Sequence, residues 1–242
     1  MGEKFLELKG QHEDQLLSVA WREFGTSKGD KFAKHGFLRR CGMLWRCIEK
    51  TFDALPPELD EKPCEDDTRD VSLFLQSFVV HVFGACDDLA WILVHEKRIT
   101  KPDGKELPPA WIGLRKGNTA VRSALSSEMT NLLDSYEAWF KHVEDFRHSL
   151  AHRIPLYVPP YFVPHDRESD YHRLEKESWQ ALLEGDIDKS RQLQEDKDAL
   201  TFFRPWYAHS ISEGSPHMVI HPQMLADFGS VLELGKAVFG EL

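Results

Sequence analysis

The sequence predicts an all-α fold: a four- to five-helix bundle with a small Pro-rich extended and β-hairpin insertion ahead of its C-terminal helix. Three observations predict it. Apolar side chains recur at three- and four-residue steps over long stretches. Prolines and glycines gather between those stretches. Strand-like runs are confined to two short segments shortly before the last helix. At 242 residues, 41% hydrophobic and 29% charged, the chain fits one domain with insertions and carries enough apolar side chains to bury a core.

The elements follow in order. From Asp30, read as an N-cap, the residues Phe37, Cys41, Leu44, Trp45, Ile48, Phe52 and Leu55 form one stripe that Pro56-Pro57 stops, which predicts a helix over about 30–55. The residues before it are assigned no element. After the polar connector ELDEKPCEDDTRD, Thr68 or Asp70 opens a second helix over about 70–97, its stripe running through Val71, Phe74, Leu75, Phe78, Val82, Leu89, Ile92 and Leu93. His81, Gly84 and Asp88 lie along one flank of that stripe. This is the most apolar stretch of the chain, but Asp87 and Asp88 would each cost about 2.5–3.5 kcal/mol in a bilayer. It is therefore read as a core helix, and no membrane partner is expected.

Residues 98–118 hold Pro102, Gly104, Pro108, Pro109, Gly113 and Gly117, which is loop chemistry, with Trp111, Ile112 and Leu114 expected to pin the loop to the core. A third helix over about 119–153 carries Val121, Leu125, Met129, Leu132, Leu133, Tyr136, Phe140, Val143 and Leu150, and Pro155 ends it. The insertion spans about 154–221. Its first part, IPLYVPPYFVP, contains prolines that allow only an extended path. Residues 166–200 suit exposed helices broken at Gly185-Asp186, and TFFRPWYAHS and HMVIHP flank the turn-like ISEGSP as a hairpin. From Pro222, a residue suited to a first helical turn, Leu225, Phe228, Val231, Leu232, Leu234, Val238 and Phe239 make the last helix, over about 222–242.

A formal charge of -10 argues against a surface coated with phosphate-binding groups and leaves room only for a local basic cleft. Cys41, Cys47, Cys64 and Cys86 form no CxxC pair and are read as reduced thiols. With no apolar leader in MGEKFLELKG, a cytoplasmic protein is expected. Trp45, Trp91, Trp139, Trp179 and Trp206 are read as core or rim packing. His95, His165, His172, His209, His217 and His221 are read as surface residues.

Chemistry concentrates in HVEDFRHSLAHRIPLY at 142–157, where Glu144, Asp145, Arg147, His148, His152 and Arg153 fall within about three turns. On a helical wheel Arg147 lies inside the stripe of Phe140, Val143 and Leu150, while Glu144, His148 and His152 form a line beside it. Arginine binds phosphate through a planar fork, and histidine moves protons near neutral pH. A ribose 2′-hydroxyl attacking its adjacent phosphate needs those two aids and no metal.

The stretch RHSLAH, late in a helix of an all-α chain, resembles the signature of the HEPN superfamily, an arginine followed after four to six residues by a histidine. That resemblance implies a dimeric four- or five-helix bundle. It also implies metal-independent endoribonuclease activity leaving 2′,3′-cyclic phosphate ends, in toxin–antitoxin or phage-defence settings. On this reading Arg147 and His152 are the catalytic pair and His148 the polar residue after the arginine, supported by Asp88, Glu144 and Asp145. The expected partners are RNA, a second copy of the chain and an antitoxin protein, and no cofactor or metal is expected. Arg147 and His152 sit roughly 140° apart on an ideal helix, so a distorted helix end or a dimer has to bring them together.

Three other readings attach to the same residues. Arg147 can serve as a structural ion pair to Asp87 or Asp88, tying the second and third helices together in a noncatalytic interaction or dimerisation module. His152 and Arg153 suit a helix C-terminus for electrostatic reasons alone. Glu144, His148 and His152, with His81 and Asp88, form the remaining alternative, a metal site.

Overall fold

The computed structural model describes residues 1–59, 61–152, 154–208 and 217–242, and the side chain of His152 falls outside that description. The fold is helical, with one two-stranded hairpin just before the last helix, and it has more separate helices than the four or five expected.

Helix α1 (Gly2–Ala20) lies where no element was expected. Its inward face is Phe5, Leu8, His12, Gln15 and Val19, a helical spacing in which two positions are polar. His12 packs between Trp45 and Phe228, with ring centroids 6.1 and 5.4 Å away, and Gln15 Nε2 donates to the Leu232 carbonyl at 3.1 Å. Those two residues are core positions that a hydropathy pattern does not register.

The expected first helix begins earlier than Asp30. Thr26 is the N-cap of α2 (Ser27–Lys31), its hydroxyl accepting from the Gly29 amide at 2.9 Å. Asp30 instead sits in the first turn and pairs with Lys34 at 2.6 Å. A π-helical segment, Phe32–Phe37, then leads into α3 (Leu38–Ala54). Likewise α4 (Glu65–Glu96) is capped by Cys64, not by Thr68 or Asp70, and three acidic residues in its first turn complement the helix dipole.

Helix α4 is the hub: it packs against α3, the π segment, α7 (Glu137–His152) and α10 (Ile220–Glu241). Its 32 residues extend about 48 Å. Among the described residues it alone is long and apolar enough to cross a membrane on length and composition, and most of that stretch is buried by neighbouring helices. Leu75, Phe78, Leu89, Ile92 and Leu93 are within 2% of complete burial, which makes this helix the centre of the core.

The expected third helix is three helices: α5 (Thr119–Arg122), α6 (Ser127–Ser135) and α7. Ser126 interrupts it by capping α6 through the Met129 amide at 3.1 Å, while its own amide and hydroxyl bond Glu241 at 2.9 and 2.6 Å. The 98–118 loop is pinned by Ile112 and Leu114 as expected, but Trp111 is 51% exposed.

The Pro-rich segment runs extended over α4, where Val158 N donates to Ser72 Oγ at 3.0 Å and Gln76 Nε2 to the Leu156 carbonyl at 2.8 Å. Helices α8 (Glu168–Leu183) and α9 (Ile187–Asp198) form a hairpin of their own around Gly185, whose φ of 83° suits glycine. Trp179 on α8 is exposed, not core or rim. Strands β1 (Trp206–Tyr207) and β2 (Met218–Val219) pair antiparallel, Trp206 opposite Val219. The turn between them, with His209 and ISEGSP, lies outside the described residues, as does Arg153. His221 is not on the surface: it is buried at the start of α10, and its Nε2–H donates to the Leu55 carbonyl at 2.7 Å.

Candidate functional site

The site is built where α4, α7 and the 108–118 loop meet. Helix α7 buries Phe140, Val143, Phe146 and Ser149, and Arg147 stands half-buried at the border of that face. Its guanidinium lies over the Phe83 ring of α4, 5.4 Å from the centroid. One turn along α4 from Phe83 is Asp87. Phe83 and Asp87 line a cleft of about 520 Å³ together with Asn118, Phe140, Glu144 and Arg115. That size and its mixture of aromatic walls with a few polar groups are usual for a ligand site.

Among the described residues neither the Arg147 guanidinium nor the Asp87 carboxylate has an oppositely charged group within 4.0 Å. They still feel each other. Asp87 is exposed to solvent in the cleft, yet the protein around it and then the neighbouring Asp88 carboxylate push its carboxyl up to about 6, against a smaller downward pull from Arg40 and Arg147. A carboxyl titrating there can take up and release a proton near neutral pH.

Asp88, one residue on, turns into the opposite seam. Its Oδ2 accepts from Arg40 Nε at 2.8 Å, and the Arg40 guanidinium also approaches His81 Nδ1 at 3.4 Å. Two glycines make room for this pair. A Cβ at Gly36 would come within 2.8 Å of the Asp88 carboxylate, and one at Gly84 within 2.3 Å of the Arg40 guanidinium. Gly36 and Arg40 on one helix thus face Asp88 and Gly84 on the other, a reciprocal arrangement at four-residue spacing. Burial first, and the Arg40 charge second, hold His81 below the ordinary imidazole pKa. Burial likewise raises the Cys41 and Cys86 thiols, so both stay protonated.

The residues expected to act together are therefore divided. Glu144 lines the cleft but is paired with Arg115, whose Nε is also 3.5 Å from Glu137. Asp145 is exposed away from the cleft, and its carbonyl accepts from Ser149 Oγ at 3.0 Å. His148 is exposed beside Arg147, and the His152 side chain lies outside the described residues. The expected ion pair between Arg147 and Asp88 is not formed, because Arg40 holds that carboxylate. Among the described residues no three His, Cys, Asp or Glu side chains are grouped to hold a metal.

Arg40, Arg115 and Phe83 were not picked out from sequence, and Asp87 was named only as an alternative ion-pair partner of Arg147, a pair that is not closed to 4.0 Å among the described residues. One signal was present: glycine and a charged residue four apart on each of two adjacent helices, Gly36/Arg40 and Gly84/Asp88. No protein-family model, curated protein or solved structure matches this chain.

Proposed function

We propose that this chain is a HEPN-like, metal-independent endoribonuclease that acts as a homodimer. The observation that carries the reading is a half-buried arginine, with no carboxylate within 4.0 Å among the described residues, resting on an aromatic ring that lines the neighbouring cleft, where the Asp87 carboxyl is pushed up to about 6. A guanidinium left unpaired in this way is available to a phosphate, which it binds through two parallel N–H donors.

In the proposed reaction Arg147 holds the non-bridging oxygens of the scissile phosphate. The ribose 2′-oxygen attacks phosphorus as its proton passes to a base, the bond from phosphorus to the 5′-oxygen breaks, and that oxygen is protonated as it leaves. The products are a 2′,3′-cyclic phosphate and a 5′-hydroxyl. His152 serves as one proton carrier and Asp87 as the other, with His148 as the polar residue that follows the arginine. Asp88 and Glu144 are committed to Arg40 and Arg115, so they have no direct part in this scheme. For the dimer, Leu73 (62% exposed) and Val80 (48% exposed) lie seven residues apart on α4, in a stripe that leads to Asp87.

The test is cleavage of a mixed single-stranded and structured RNA pool in EDTA, with end-group analysis. The wild type is expected to leave cyclic-phosphate ends, and Arg147→Ala and His152→Ala are expected to leave none. Arg147→Ala gives up a cation–π contact of only about 0.5–1 kcal/mol, so its fold persists and lost activity reports on chemistry. Cleavage at the wild-type rate by Arg147→Ala overturns the assignment.

A further inference from the structure

We infer that the pocket at the C-terminal end of α4, lined by Thr26, Lys28, Trp91, His95 and Arg98, is a second contact point for the same single-stranded RNA, binding a nucleotide several residues from the scissile bond. The inference rests on the nuclease reading above and adds the path of the strand.

Four observations carry it. The pocket holds about 370 Å³, and it shares Ile112 in its wall with the cleft that contains Asp87, so the two are neighbours along α4. From Phe83 to Arg98 that helix direction covers about 22 Å, a span that a few linked nucleotides bridge. Trp91 and His95 line the pocket and stack with each other and with Phe32, Trp91 lying 5.2 Å from Phe32 with planes within 3° and 5.5 Å from His95 with planes within 23°, an aromatic cluster of the kind that bases stack on.

The fourth is Arg98 itself. It closes α4 with a φ of 53°, a left-handed conformation, as Ile99 N donates back to the Val94 carbonyl at 2.9 Å. Glycine is the residue that takes this position without strain. A glycine there has no side chain to offer, whereas Arg98 puts an exposed guanidinium at the pocket that has no carboxylate within 4.0 Å among the described residues. Lys28, beside it, pairs with the exposed Glu106 at 2.8 Å, and Glu96 is occupied by the Gly25 and Thr26 amides at 2.7 and 3.0 Å. Among the described residues lining the pocket, Arg98 is thus the cation with capacity to spare for a phosphate.

Arg98→Gly is the discriminating variant, because it relieves the backbone and so folds at least as well as the wild type. Wild type and variant are compared on cleavage of a dinucleotide and of a longer single strand, and on binding of a non-cleavable 2′-O-methyl version of the longer strand at several salt concentrations. The expected result is unchanged dinucleotide cleavage, a KM for the longer strand raised about tenfold, and a salt slope for binding that is shallower by about 0.7. If the wild type cleaves nothing but binds the non-cleavable strand more tightly than Arg98→Gly does, the contact stands and the nuclease reading falls. If the wild type cleaves and the variant handles the longer strand identically, the contact is refuted and the nuclease reading stands. Absence of both cleavage and binding refutes both.

Discussion

Replacing Arg40 with methionine isolates the ion pair that joins α3 to α4. Methionine keeps most of the apolar stem of arginine and removes its charge, which leaves Asp88 facing Gly36 with no partner. Exposed pairs contribute about 0–1 kcal/mol, and breaking a fully buried pair costs about 3–5 kcal/mol. Here the carboxylate is 9% exposed and the guanidinium 33%, so the loss should fall between those limits. We expect about 2–4 kcal/mol, which for a chain of this size lowers Tm by about 5–15 °C. The loss should also depend on pH. Burial already raises the Asp88 carboxyl, and the Arg40 hydrogen bond and charge oppose that rise. Removing Arg40 raises the carboxyl further. A carboxyl raised in the folded state favours folding at low pH and loses that contribution as pH rises through its folded value. The deficit of Arg40→Met is therefore larger at about pH 8 than at about pH 5. Urea unfolding at both pH values measures it, with equal m-values confirming that the unfolded reference is unchanged. A deficit below about 1 kcal/mol at the higher pH, or one that is the same at both, would refute this account. Adding Asp88→Leu should return much of the loss, since a buried pair replaced on both sides by apolar groups is often neutral.

Other expectations follow from the same geometry. Gly84→Ala would ordinarily stabilise a helix by about 1 kcal/mol, but here its Cβ meets the Arg40 guanidinium at 2.3 Å, so we expect a lower Tm in a thermal melt, and a higher one would contradict the packing. Asp87→Asn should remove a pH dependence. The wild-type carboxyl, raised to about 6, favours folding at low pH and ceases to do so as pH climbs through that value, so the variant gains stability relative to the wild type from about pH 4 to 7. Parallel urea curves over that range would disprove it. His221→Ala should cost about 2–4 kcal/mol by emptying ring volume against Phe52, 4.6 Å away, and stranding the Leu55 carbonyl. Burial holds the His221 imidazole below its ordinary pKa, so the wild type loses stability as pH falls below that value, and the variant lacks this component of acid sensitivity in denaturant melts.

Much of the helical framework was legible in the chain. The stripes of α3, α4 and α10 are dense in Leu, Ile, Val and Phe, and their burial follows directly from spacing. Helix α1 was not legible, because His12 and Gln15 occupy inward positions and become core residues only once α3 and α10 supply an aromatic cage and a carbonyl. The breaks within residues 119–152 were hidden for a related reason. Ser126 reads as an ordinary helical residue until Glu241, 115 positions away, accepts its amide and hydroxyl.

The sequence by itself determined the helical class, the extended Pro-rich segment, the hairpin ahead of the last helix and the concentration of charge at the end of α7, all of which depend on neighbours a few residues apart. Only the tertiary structure decided which charges meet. Asp87 and Asp88 are adjacent in the chain, yet a helix turns successive side chains by about 100°, so one lines the cleft within the electrostatic reach of Arg147 and the other meets Arg40 in a different seam. Which carboxylate is neutralised and which is left to titrate near 6 depends on the helix packed against each face, and that pairing is set by long-range contact, which no local pattern encodes.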